Sequence, residues 1–281
     1  MNRPFVLPLV LFAIIVILAY LPLVSQFGYT FDDWYLMWSA KAYGVDAFHK
    51  IYSVDRPLRG YLMEAAYTVF GENPLWYNIS AWFWRLLSGL MYWWILLKIW
   101  PRYRREALGT ALLYTVYPGF LSQFNGIDYQ SQIASLAIAM SSIALTVKAC
   151  EDLQFVRKWI YIVLSIAFGW FYLGLVEYEI GFEFLRLGLI FVLFFRGMGS
   201  VWGKLLKVFR AWLPYVIITL GFGYWRFFVF VSERKATDIG FQLGRFLTDP
   251  SGALFLWGVQ IVNDLVDIFF FAWFAPGCHH H

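Results

Sequence analysis

The feature that most constrains this chain is an apolar run of twenty residues, Phe5 to Val24. At about 1.5 Å per residue, a helix over that run is about 30 Å long, the hydrocarbon thickness of a bilayer. The run is too long for the apolar region of a signal peptide, and no small-x-small cleavage site follows it. It reads as an uncleaved first transmembrane helix. Composition agrees: 61% of the 281 residues are hydrophobic and only 14% charged, where a soluble domain has about 25% charged residues. With 29 Phe, 18 Tyr and 15 Trp, too little polar surface is left for a water-soluble exterior.

Seven more apolar segments follow: Leu75–Trp100, Ala107–Phe124, Ile133–Val147, Trp159–Val176, Ile180–Phe195, Ala211–Val231 and Ala253–Ala275. The expected fold is an all-α polytopic membrane protein, one module over residues 1–281 with about eight transmembrane helices. Lysine and arginine orient it. Lys98, Arg102, Arg104 and Arg105 follow the second segment, Lys148, Arg157 and Lys158 the fourth, and Arg196, Lys204, Lys207 and Arg210 the sixth. The alternate loops, Leu121–Gln132 and Glu177–Glu179, carry none. By the positive-inside rule the N-terminus is cytoplasmic.

The first external loop, residues 25–74, contains FDDWYLMWSAKAYG and DRPLRGYLMEAAYTVFGENP. Trp34, Trp38 and Ala42 recur every four residues, which suits a helix lying in the interface with its indoles at headgroup level. Leu62, Ala65, Ala66, Val69 and Phe70 form a second amphipathic face. Two short surface helices are expected there. In the last segment Gln260, Asn263, Asp264 and Asp267 form one polar stripe on an apolar helix, which either spans beside a wet cavity or lies flat on the outer surface.

Asp32 and Asp33 stand where the chain leaves the first apolar run. Thr30 with Asp33 three residues on matches a capping box. Adjacent helical residues diverge by about 100°, so one carboxylate can cap while the other faces a cavity and takes a proton from a hydroxyl nucleophile. On the expected topology other charges reach the same outer leaflet: Glu177, Glu179 and Glu183 between and within the fifth and sixth segments, Arg186, Arg226 and Asp128. Charges at such depth are costly and face a cavity or a partner, although Glu183 and Arg186, three apart, also suit a local salt bridge. Arg85 lies near mid-bilayer, as a buried pair or a snorkelling cation. Of the loop cations Lys41, Lys50, Arg56 and Arg59, Arg56 stands out, because Pro57 fixes the backbone beside it and arginine holds phosphate bidentately.

These groups suggest glycosyl transfer from a lipid-phosphate sugar. Phosphate is already a competent leaving group, so one base on the acceptor and cations on the phosphate suffice, and in-line attack inverts the anomeric centre. Asp32 and Asp33 are the catalytic candidates. Arg56, Arg186 and Arg226, with Glu179 and Glu183, are the substrate- and phosphate-binding candidates. No cofactor is required, and a divalent cation can bridge carboxylates and phosphate. A net charge of +4 suggests no nucleic-acid partner. Cys150 and Cys278, with no CxxC, exclude a disulfide scaffold and a thiolate metal site. The triple histidine at 279–281 reads as a tail or tag-like end. The glycines of GMGSVWG lack dinucleotide-loop spacing, the sequon at Asn78 lies against a membrane helix, and there is no Walker A lysine, HExxH or GxSxG.

The first segment, FDDWY, and then DRPLRGYLMEAAYTVFGENPLWYN leading into the second segment together resemble the multi-spanning GT-C glycosyltransferases, which include protein mannosyltransferases and lipid A aminoarabinose transferases. The resemblance implies a polyprenyl-phosphate sugar donor, an acceptor glycan, lipid or protein, and a bacterial cytoplasmic membrane with the site on the external side. It also implies that Asp32 or Asp33 is the base or positions the acceptor. RPL at Arg56–Leu58 resembles a recurrent feature of bacterial members, and EYE at Glu177–Glu179 resembles an acidic spot after their fifth helix. Such proteins usually continue with more helices, so this chain reads as truncated or minimal. Two other classes stand beside this one. A lipid or solute transporter predicts an internal repeat and broken helices at mid-membrane, and no repeat is found. A non-catalytic subunit of a membrane complex predicts that no single carboxylate matters.

Overall fold

The computed structural model describes residues 3–22, 24–53, 56–117, 126–230 and 239–274, and over these the chain is all-helical. Helix α1 (Arg3–Tyr20) is followed by three helices in the first long connection: α2 (Asp32–Tyr43), α3 (Asp46–Tyr52) and α4 (Pro57–Phe70). Next come α5 (Pro74–Ile99), α6 (Arg104–Thr115), α7 (Gln130–Glu151) and α8 (Phe155–Leu175). A 3₁₀ turn at Glu177–Ile180 leads into α9 (Gly181–Phe195). Helix α10 (Val201–Trp212) passes through a 3₁₀ turn at Leu213–Tyr215 into α11 (Val216–Tyr224) and a π turn at Trp225–Val229. Helices α12 (Ile239–Thr248) and α13 (Pro250–Val266) complete the fold, the last continuing through a π turn to Phe274.

Local chemistry sets several starts. Pro57, Pro74 and Pro250 open α4, α5 and α13, where no backbone N–H is needed. Asn73 caps α5 by accepting the Leu75 N–H at 3.0 Å, and Asp249 caps α13 by accepting the Gly252 N–H at 2.9 Å.

The expected span count is not met. Among the described residues four helical stretches are long and apolar enough to cross a membrane: Gln130–Glu151, Phe155–Leu175, Val201–Val229 and Pro250–Phe274. The other four expected spans fall short for different reasons. Helix α1 has 18 residues, Arg3–Tyr20, of which the described apolar stretch is Val6–Tyr20. Helices α6 and α9 have 12 and 15 residues, about 18 and 22 Å of helix. Part of the expected third span lies outside the described residues, which omit 118–125. Helix α5 has 26 residues but carries Asn78, Arg85 and Ser88, polar groups that lower its mean hydropathy even though they face the bundle interior.

The first connection also holds three helices where two were expected. On α2 the tryptophan stripe is exposed as anticipated, Trp34 by 62% and Trp38 by 56%. On α4 the inward face is turned by about one position from the expected one. Arg59, Gly60, Met63 and Ala66 are buried, whereas Val69 is 75% exposed.

Helix α7 is the central element and packs on both α5 and α8. One core joins α2, α3 and α4 to Tyr77 and Ile127; another joins α7, α8, α9 and α10; a third lies between α5, α7 and α9, and a fourth between α1, α5 and α6. The two ends of the bundle differ in charge. At one end Lys98 pairs with Glu151 at 2.9 Å and Arg196 lies over the Trp100 ring at 5.2 Å, which brings the α5, α7 and α9 termini together. The opposite end carries the acidic motif.

Candidate functional site

The structure separates the two aspartates. Phe31 takes φ 43°, a backbone region costly for a side chain of its size, and the helix then begins. Asp33 turns inward and is 1% exposed. Its Oδ2 accepts the Thr30 N–H at 3.1 Å and the Thr30 hydroxyl at 3.3 Å, the reach-back half of a capping box. Its Oδ1 accepts the Asp128 N–H at 2.8 Å, from a residue ninety-five positions away. Burial pushes the Asp33 carboxyl above its ordinary range, and the N–H bonds from Asp128 and Thr30 only partly oppose this. Asp32, about 100° further round the helix, is exposed.

Asp128 passes the connection on. Its carboxylate pairs with Arg59, and its carbonyl accepts from the same guanidinium at 2.6 Å. Arg59 is 2% exposed and stacks at 4.5 Å over the Tyr52 ring. Among the loop cations, Arg59 is a buried latch joining α4 to the segment before α7. Two close approaches shape this region. A Cβ at Gly126 would lie 2.1 Å from Asn78 Oδ1, and Asn78 itself holds the Phe27 carbonyl at 3.2 Å. The sequon asparagine is thus buried and engaged.

Three residues before Arg59, at the start of α4, Arg56 reaches the turn after α8. Its Nε donates to Glu177 Oε2 at 2.9 Å and its Nη2 to Oε1 at 3.3 Å, a bidentate pair. Burial pushes the Glu177 carboxyl up, but the Arg56 bonds and charge, aided by the charge of Arg226, outweigh it and hold the group below its ordinary range. Arg226 sits in the π turn with its guanidinium 3.8 Å from the Phe230 ring centroid. Pro57 and Trp225, next to Arg56 and Arg226 in the chain, help line an apolar cleft of about 210 Å³ between α4, α8 and α11, together with Trp170, Leu173, Gly221 and Phe222. Gly174 also lines it and lets α4 approach α8, since a Cβ there would lie 2.6 Å from Leu58 Cδ1.

Arg186 and Glu183 lie apart from this cleft in a closed polar core. Arg186 is 0% exposed. Its Nε and Nη2 each meet Glu183 at 2.9 Å, Nη1 donates to Ser165 Oγ at 2.7 Å and to Thr146, and Nη2 donates to Ser142 Oγ at 2.8 Å. The Tyr172 hydroxyl completes the Glu183 side at 2.5 Å. The phosphate-binding candidate Arg186 is therefore enclosed in the local salt bridge that its spacing also suited, and the pair joins α7, α8 and α9. Buried charges persist when every donor is matched in this way.

Glu179 is buried against Ser135, whose hydroxyl also lies 3.0 Å from the Tyr172 carbonyl. One hydroxyl proton cannot serve both acceptors. A protonated Glu179 donating to Ser135, with Ser135 donating onward, satisfies both. Burial pushes Glu179 up to about 8, with the Ser135 bond opposing.

Arg85 lies 4.0 Å over the Tyr20 ring. Among the described residues no group of three or more His, Cys, Asp or Glu is placed to hold a metal ion. Sequence reasoning missed the Arg59 latch and the hydroxyl groups around Arg186. The signal for the second was present: Ser131, Ser135, Ser142 and Thr146 follow one face of α7.

No protein-family description, characterised protein or solved structure matches the chain.

Proposed function

We propose that the chain is a GT-C-like inverting glycosyltransferase that moves a sugar from a polyprenyl-phosphate donor to an acceptor at the outer face of a bacterial cytoplasmic membrane. One observation carries the reading: Pro57 and Trp225, the chain neighbours of Arg56 and Arg226, line an apolar cleft, Arg56 pairs with Glu177, and the Arg59–Asp128 latch ties α4 to the acidic motif. The cleft suits a lipid chain, and the two guanidiniums suit its phosphate. Glu177 holds Arg56 aimed until phosphate replaces it. Asp32, exposed at the start of α2, is the favoured base, while Asp33 positions it. The acceptor hydroxyl oxygen attacks the anomeric carbon, its proton passes to Asp32, and the bond to the phosphate oxygen breaks, releasing polyprenyl phosphate. The proposed topology puts this end of the bundle outside and the end with Lys98 and Arg196 in the cytoplasm.

The test is turnover of labelled polyprenyl-phosphate sugars by purified protein. Asp32→Asn should lower turnover by 10²-fold or more, as loss of a general base does, and Arg56→Gln should raise KM. Equal turnover by wild type and both variants would remove the reading. One observation favours a second reading, a subunit that works beside a partner: the stretch Pro250–Phe274 buries none of its residues within the chain. Activity that appears only after a partner is added would support it.

A further inference from the structure

Helix α10 has three kinds of surface in order around its axis. At about 100° per residue, Lys204, Val208 and Trp212 fall on one side. There Val208 is buried in the core shared with α8 and α9, and the Lys204 ammonium donates to the Phe195 carbonyl at 3.3 Å. The next arc is apolar and exposed, with Leu205, Phe209, Trp202 and Leu206. The third is basic and exposed, with Lys207 and Arg210. Arg196, also exposed, lies just before the helix.

Two further facts bear on what α10 meets. No acidic residue occurs between Glu183 and Glu233, and among the described residues Arg196, Lys207 and Arg210 form no ion pair with a carboxylate. The continuous run Val201–Val229 has 29 residues, about 43 Å of helix against about 30 Å of hydrocarbon. The excess is the amphipathic part, and Pro214 marks the 3₁₀ turn where the apolar part begins.

We propose that α10 lies in the headgroup layer at the basic end of the bundle and binds anionic phospholipid. Its apolar arc enters the acyl region, and Lys207 and Arg210, with Arg196, hold the phosphate-bearing headgroups. The inference rests on the membrane placement of the long apolar helices and is independent of the proposed transferase activity.

A fluorophore on Leu206→Cys, in a Cys150→Ser/Cys278→Ser background, reports the local lipid. The full chain is reconstituted in vesicles of phosphatidylcholine mixed with phosphatidylglycerol, one or the other brominated. Brominated phosphatidylglycerol should quench several-fold more effectively per mole. Each cation removed should lower that preference by up to about fivefold, so Lys207→Gln/Arg210→Gln should bring the two lipids close to equal, and Lys207→Arg/Arg210→Lys should retain the preference. Equal quenching in the parent protein, or a preference unchanged by the double glutamine variant, would overturn the proposal. Protection from both lipids would also overturn it, because the face would then be covered by protein. If the glutamine variant does not fold, the parent decides by salt: going from about 0.15 M to about 0.5 M shortens the Debye length from about 8 Å to about 4 Å, and a preference that this does not weaken contradicts the proposal.

Discussion

Asp32 and Asp33 are neighbours in the chain with opposite environments. Asp33 accepts two backbone N–H groups from different parts of the fold. An asparagine there keeps one acceptor but turns an amide NH₂ toward a donor. Asp33→Asn should therefore cost about 2 kcal/mol of stability and lower the melting temperature, while Asp32→Asn, at an exposed position, should leave it unchanged. Thermal melts in one detergent check both. The capping role of Asp33 was legible from Thr30-x-x-Asp33, but its bond to Asp128 was not, because the backbone partner is ninety-five residues distant and any residue type there supplies an N–H.

Glu179 gives a pH-dependent prediction at the same scale. Its ordinary value is 4.5 and its folded value about 8, so the folded protein keeps a proton that the unfolded chain has released. Stability then falls as pH rises from about 4.5 to about 8, by at most about 1.4 kcal/mol per unit, and is flat above. Melting temperatures across pH 5 to 8 should show this slope, and Glu179→Gln should flatten it.

Among the elements, α4 matters most to the site because it carries both Arg56 and Arg59. Its distance from α8 is set by Gly174, where a methyl group would meet Leu58. Gly174→Ala should cost about 1–3 kcal/mol by overpacking, and adding Leu58→Ala should recover part of it, a non-additivity that a double-mutant cycle of melts would detect. Helix existence was largely readable from apolar runs, because a membrane helix needs length and hydropathy. Span number was not. Helix α5 buries an arginine, an asparagine and a serine against its neighbours, and α9 spends its first two turns on Glu183 and Arg186. Composition counts such groups as polar cost, whereas packing satisfies them with partners the local sequence does not reveal.

For the whole molecule, the separation of charge predicts a membrane orientation. The basic junctions lie at one end with Met198, which is fully exposed, and the acidic motif lies at the other with exposed Tyr35. In a background without native cysteines, Tyr35→Cys should react with a membrane-impermeant thiol reagent in intact cells, and Met198→Cys only after permeabilisation. The meeting of Arg56 and Glu177 near Arg226 was readable from that topology, and so was the local Glu183–Arg186 pair; the hydroxyl partners on α7 and α8 that enclose Arg186 were not, because they come from other helices.

The most direct measurement of the central claim is mapping of a photo-crosslinkable polyprenyl phosphate on the full chain. The account predicts that a diazirine on the isoprenoid chain labels peptides containing Trp170, Phe222 or Trp225, and that Arg56→Gln suppresses the labelling. Labelling spread evenly over the exposed apolar helices and indifferent to Arg56 would contradict it.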